Sequence, residues 1–232
     1  MTKLLVSVRS ASEAQIALGA GVDLIDVKEP RAGALGAASP AVWTQIASQV
    51  AGARPLSAAL GELTDTSSCD TAARNAALAG YTFAKLGLAG CAALADWQSR
   101  WQATLAALPS AVTPVAVAYA DYAASRAPHP EEVCTIGARL GCGAFLIDTF
   151  EKTRGDVFEL LKPALLRELL QAARDRGMTT VLAGSLRLAR LDEALALQPD
   201  YVAIRGAVCR QERSGDLDVG LIGQWVQRLA SV

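Results

Sequence analysis

The stretch Lys3-Leu4-Leu5-Val6-Ser7-Val8, the helical pattern Ala11–Leu18 behind it and the run Asp23-Leu24-Ile25-Asp26-Val27 together make one β-α-β unit. The outer segments are short runs of Val, Ile and Leu, as strands are, and the middle one has helical spacing. Ser12 stands as the helix N-cap and Gly19 follows its end. Working outward, the alternation recurs. Strand-type runs follow at Pro55–Leu60, Tyr81–Leu86, Thr113–Tyr119, Ala144–Thr149, Thr179–Ala183 and Tyr201–Ile204. Helical patterns lie between most of them, at Thr71–Ala79 with Asp70 as N-cap, Asp96–Leu108, Glu131–Leu140, Lys162–Arg176 and Leu191–Leu197. Gly80, Gly141 and Gly177 punctuate three of the helix ends. Eight such units in 232 residues predict an α/β fold, a closed TIM (β/α)8 barrel, with residues 1–232 as a single domain. A doubly wound open sheet is the alternative, disfavoured because no G-x-G-x-x-G follows the first strand.

Composition narrows the function. The chain is 52% hydrophobic but only 5% aromatic, so Ala, Leu, Val and Ile must fill the core. A net charge of −1 without any basic run argues against a nucleic-acid partner. The N-terminal apolar stretch is too short for a signal peptide, and no run approaches a membrane span. Five cysteines, odd in number and without a C-x-x-C pair, read as buried thiols in a reducing cytoplasm. The one histidine, His129, lies between Pro128 and Pro130 in a loop, which leaves no zinc site and no Ser-His-Asp triad. Chemistry must come from Lys, Asp, Glu, Arg and backbone amides. Trp97 and Trp101, one helical turn apart, fit either core packing or the contact of a homo-oligomer.

The lysines are the informative residues. Of 22 basic residues only five are Lys, and three of these, Lys28, Lys85 and Lys152, fall at or beyond the C-terminal halves of strands 2, 4 and 6. In a TIM barrel those ends converge on the active-site mouth. Strand alternation sends Ile25 and Val27 toward the helices and Leu24, Asp26 and Lys28 inward. The same count turns Phe83 and Lys85 inward on strand 4, and Leu146 and Asp148 inward on strand 6. Any one of these charges taken alone fits a solvated strand end. Three amines and two carboxylates at one rim point to chemistry, because burial near other cations lowers a lysine pKa and frees the amine to attack a carbonyl. Asp26 and Asp148 would balance the cluster and move protons.

Phosphate sites in barrels often use the loops after strands 7 and 8. Gly184 and Ser185 follow strand 7, and Gly206 and Ala207 follow strand 8, with Arg205 available to add charge if it turns inward. Ser7 and Arg9 on strand 1, Glu62 after strand 3, and Tyr119 and Asp121 at strand 5 reach the same rim.

Seven segments together resemble the (5-formylfuran-3-yl)methyl phosphate synthase family, also called 4-(hydroxymethyl)-2-furancarboxaldehyde-phosphate synthase. They are Leu5–Ser7, Asp23–Pro30, Gly33–Ala37, Lys85–Leu88, Asp148-Thr149, Leu182–Ser185 and Arg205–Ala207. The resemblance covers nearly the whole chain, and D-x-K-x-P with the following L-G-A is its most specific part. It implies a barrel that condenses two molecules of glyceraldehyde 3-phosphate into a phosphorylated furan aldehyde, a precursor of methanofuran-type carriers. By position it implies Lys28 as the Schiff-base lysine, Lys85 as a proton acceptor, and Asp26, Asp148 and Lys152 as the remaining charged active-site residues. It implies no metal and no redox cofactor. Glu62 stands where an archaeal relative would have Asp. The lysine cluster by itself also permits another class I aldolase, a triose-phosphate isomerase, or a non-catalytic barrel that binds a phosphorylated metabolite.

Overall fold

The computed structural model describes residues 1–65 and 75–231. Strands β1 (Lys3–Val8), β2 (Leu24–Val27), β3 (Leu56–Glu62), β4 (Phe83–Gly87), β5 (Thr113–Tyr119), β6 (Ala144–Asp148), β7 (Thr179–Leu182) and β8 (Tyr201–Ile204) pair in chain order, all parallel. β8 pairs back onto β1, with Leu5 opposite Ala203, and so closes the barrel expected from the alternation. Thr71–74, Asp70 and Cys69 lie outside the described residues. Among those described, no helix is long and apolar enough to cross a membrane.

Two apolar layers follow from the period-2 alternation of the strands. Outward residues such as Val6, Ile25, Val27, Ala84, Leu86, Phe145 and Ile147 are buried under the helices. Inward residues such as Leu5, Leu24, Val115, Val117, Leu146 and Val181 pack together inside the barrel, with Phe83 against them. The directions expected for β2, β4 and β6 hold at each of these positions.

Several local readings change. The first helix, Ala11–Gly19, is capped by Ser10, whose hydroxyl accepts from the Glu13 amide, and Ser12 lies inside it. The cap sits two residues earlier because Ser10 has the extended backbone that an N-cap needs. Four helices among the described residues lie outside the expected set, Pro40–Val50, Val219–Ala230 and the one-turn helices Tyr122–Ser125 and Val157–Leu160. Helix Pro40–Val50 starts with Pro40 at its first position behind the Ser39 cap and buries Trp43, Ile46 and Val50. His129 is the N-cap of helix Pro130–Arg139, its Nδ1 accepting from the Glu131 amide. Trp97 and Trp101 stack at 5.9 Å with both rings buried in this chain's own core. Cys91, Cys134, Cys142 and Cys209 are buried free thiols.

The loop after β2 folds back over the barrel. Ala34 and Leu35 are buried against Ala59, Tyr119 and Ala127, and the Leu35 carbonyl accepts from the Gly61 amide. That cover lies on the β3–β5 side of the mouth.

Candidate active site

Inside the barrel, polarity switches on over two residues. Leu5 is followed inward by Ser7, Leu24 by Asp26, Phe83 by Lys85 and Leu146 by Asp148. The N-terminal part of the barrel is therefore filled with hydrocarbon and the C-terminal part with charge. The register sets Ser7 and Ser57 on either side of Asp26. Both hydroxyls donate to it, Ser7 Oγ at 2.8 Å to Oδ2 and Ser57 Oγ to Oδ1. Lys85 Nζ lies 2.7 Å from the same Oδ1. Burial alone would raise the Asp26 pKa, but Lys85, Lys28 and the hydrogen bonds from Lys85 and Ser57 hold it below the ordinary carboxylate value. Ser57 was not anticipated, although its inward register on β3 is implied by the alternation.

On the opposite side, Lys152 Nζ donates to Asp148 Oδ1 at 2.6 Å and to Thr149 Oγ1 at 3.2 Å, and the Thr149 amide donates to Asp148 at 2.8 Å. Burial opposes ionisation of Asp148, yet Lys152 and Lys28 bring its pKa to about 2. Burial lowers the pKa of Lys152, against the pull of Asp148. The loop that presents Lys152 is tied down by Asp121, whose carboxylate accepts from the amides of Phe150 and Glu151 at 2.7 and 2.8 Å.

Lys28 stands between these two ion pairs and belongs to neither. It is 6% exposed and lines the cavity described below, yet its amine makes no hydrogen bond or ion pair among the described residues. Burial brings its pKa from 10.5 to about 7, with Lys152 and Lys85 adding repulsion and Asp148 and Asp26 opposing. The neutral amine is therefore far more accessible than in an ordinary lysine.

A cavity of about 470 Å³ opens over this layer. Ser7, Lys28, Lys85, Asp148 and Lys152 line its floor, and Gly184, Ser185, Arg205, Gly206 and Ala207 line its β7–β8 wall. The backbone amides of Gly184, Ser185, Gly206 and Ala207 donate to nothing among the described residues, which leaves them free for an anion. Gly184 has φ +95°, and a Cβ there would stand 2.8 Å from the Cβ of Val157. The turn after β7 therefore needs glycine at this position.

Arg205 is a different case. Its Nε donates to the Arg213 carbonyl, Nη1 to the Ser7 carbonyl and Glu13, and Nη2 to Glu13 and the Gly215 carbonyl. All five N–H groups are thereby committed, so Arg205 turns toward the cavity wall without a donor to spare for phosphate. The sequence could not reveal this, because its partner Glu13 is 192 residues away.

Three other features were missed or ranked low. A register shift between Ala59 and Glu62 re-aims the end of β3, and Glu62 accepts from Tyr119 Oη at 2.6 Å and from the Ala89 amide at 2.9 Å. Burial raises the Glu62 pKa. Arg187 and Arg213, in the loops after β7 and β8, also line the cavity and carry no sequence signal beyond their charge.

A parallel barrel with a charged cavity at the C-terminal ends of its strands is the layout of a TIM-barrel enzyme. Residues 4–226 match the 4-HFC-P synthase family model, and the chain belongs to that family. It is 32% identical to the (5-formylfuran-3-yl)methyl phosphate synthase of Methanosarcina mazei, with 97% of each chain covered. Against the synthase of the same name from Archaeoglobus fulgidus the identity is 31%, over 91% of this chain and 92% of that one. Among solved structures, phosphoribosyl anthranilate isomerase from Thermus thermophilus superposes with a TM-score of 0.61 at 14% identity, covering 99% of both chains. The 3-hexulose-6-phosphate synthase from Salmonella typhimurium gives 0.62 at 14% identity, covering 98% of this chain and 99% of that one. At such identities the two structures speak for the fold alone.

Proposed function

We propose that this chain, acting as one domain, condenses two molecules of glyceraldehyde 3-phosphate into (5-formylfuran-3-yl)methyl phosphate. The reaction releases one inorganic phosphate and two waters. Lys28 is the nucleophile, its amine adding to an aldehyde carbon with loss of water to give an imine. The imine acidifies the neighbouring carbon, and we assign removal of that proton to Lys85, which acts from its neutral form and becomes, on taking the proton, the ammonium that Asp26 holds. The enamine carbon attacks the aldehyde of the second triose phosphate. A hydroxyl of the second triose adds to the imine carbon and displaces the Lys28 amine, and loss of one phosphate and of the remaining water completes the aromatic ring, which supplies the furan of methanofuran-type carriers.

The observation that carries this reading is the contrast among three amines in one cavity. Lys85 and Lys152 are ion-paired at 2.7 and 2.6 Å, whereas Lys28 is buried without a partner. A structural lysine would not be left so, because an unpaired buried cation costs several kcal/mol, on the order of what burying a charge costs in general. A Schiff-base lysine requires it. Asp148 and Lys152 serve as the second charged pair, and Ser7 with the amides of Gly184, Ser185, Gly206 and Ala207 as phosphate ligands. Incubation with glyceraldehyde 3-phosphate alone, followed by product mass analysis and a phosphate assay, tests the proposal. The furan phosphate and one equivalent of phosphate are expected, and an unchanged or merely isomerised triose phosphate rules it out.

A further inference from the structure

Two arginines on the β8 side of the mouth divide their work in an unexpected way. Arg205, expected to face an anion, is fully committed inside the protein. Eight residues on, Arg213 reaches the same cavity with the opposite balance. Only its Nη2 is used, donating to the carbonyls of Gly33 at 2.9 Å and Ala34 at 3.4 Å. Its Nε and Nη1 groups make no bond, and no carboxylate pairs with it among the described residues. This guanidinium is half-buried, and burial works against its charge.

The loop that carries Arg213 is braced. Arg205 grips the Arg213 and Gly215 carbonyls, and Arg9 grips the Ser214 carbonyl. Arg9 and Arg205 are themselves joined through buried Glu13, at 3.0 and 2.8 Å. Three successive carbonyls are thus fixed by two arginines, and the Arg213 side chain is held across the mouth against the loop after β2. A Cβ on Gly215 would run into the Arg210 carbonyl, so the turn also needs glycine there. Such bracing pre-organises three N–H donors and a positive charge, which is what binding a phosphate dianion calls for.

We infer that Arg213 is the side chain that binds a phosphate of the substrate, and that Arg205 is a buried positioning residue which aims it. The inference rests on the proposed function for the identity of the substrate, but the anion site itself is independent of the imine chemistry. The substrates bring two phosphates and the product retains one, so the free backbone amides of the β7 and β8 loops leave a second phosphate in need of a partner.

Two measurements on the full chain test it. First, inorganic phosphate is titrated calorimetrically into the wild type, Arg213→Met and Arg167→Met, the last an exposed arginine outside the cavity. Binding weakened about tenfold or more in Arg213→Met, with little change in Arg167→Met, is expected. Equal affinity in wild type and Arg213→Met, or no phosphate binding to the wild type, overturns the inference. Second, borohydride trapping at Lys28 is compared for glyceraldehyde 3-phosphate and unphosphorylated glyceraldehyde. Arg213→Met should lose the preference for the phosphorylated aldehyde while trapping glyceraldehyde as the wild type does. An equal loss with both aldehydes means that Arg213 only holds the loop, and overturns the inference. If the wild type traps neither aldehyde, the imine reading fails and the titration alone decides the anion site.

Discussion

Lys85 Nζ and Asp26 Oδ1 lie 2.7 Å apart at the base of the cavity, and both side chains are almost wholly withdrawn from solvent. Their pairing neutralises the amine nearest the hydrocarbon plug and, with the Lys152–Asp148 pair opposite, leaves Lys28 as the uncompensated charge of the layer. Asp26→Asn should therefore strand a buried ammonium and destabilise the fold by about 3–5 kcal/mol, the range for breaking one side of a buried ion pair. Adding Lys85→Met to Asp26→Asn should recover much of that loss. Denaturant unfolding of the two single variants and the double variant measures the coupling, and simple additivity would show that the pair does not interact.

Lys28 carries the opposite prediction. Its amine is brought from 10.5 to about 7 by burial, so the folded chain pays to hold a group that the unfolded chain protonates freely. Lys28→Met should stabilise the protein by up to roughly 4 kcal/mol at neutral pH, at about 1.4 kcal/mol per pKa unit, while abolishing turnover. The sign follows from proton uptake. The unfolded state binds the extra proton between about pH 7 and 10.5, so the wild type closes the gap as pH rises through that window. Below about pH 7 the difference is constant. Unfolding curves of both proteins from pH 6 to 10 provide the check.

Imine formation should follow the same amine. At limiting aldehyde, the trapping rate should rise about tenfold per pH unit below about pH 7 and level off above it, since only the neutral amine attacks. Asp148, with a pKa of about 2, stays ionised throughout this range and adds no inflection. A profile that keeps climbing toward pH 10 would mean that Lys28 titrates as an ordinary lysine.

Gly184 should tolerate nothing larger. Its φ of +95° and the proximity of Val157 make Gly184→Ala both strained and crowded. A loss of about 1–3 kcal/mol is expected, with a raised KM for the phosphorylated substrate. Thermal unfolding and steady-state kinetics check the two parts separately.

Much of this molecule was legible because barrel strands obey a two-residue period. Leu24, Asp26 and Lys28 were assigned to one face by counting, and so were Phe83 with Lys85 and Leu146 with Asp148. The same count set the lysines of β2 and β4 and the Lys152 loop at one end. Helix Pro40–Val50 obeys a regular period too, with Trp43, Ile46 and Val50 buried and Thr44, Gln45, Ser48 and Gln49 exposed, so no physical limit hides it. What is hidden is long-range. The loop from Gly206 to Asp216 has no period at all, and it is held by Arg9 and Gly33 at the far end of the sequence and by Arg205, which Glu13 in turn holds. For that reason Arg205 looked like an anion ligand and Arg213 went unnoticed. A guanidinium's partners are set by tertiary structure, not by its neighbours in the chain.

The most direct measurement is borohydride reduction of the wild-type protein during turnover of glyceraldehyde 3-phosphate, followed by peptide mass mapping. A reduced adduct on the peptide that contains Lys28, absent from Lys28→Arg, is the predicted result, since a guanidinium cannot form the imine. An adduct on Lys85 or Lys152, or turnover without any adduct, would contradict it.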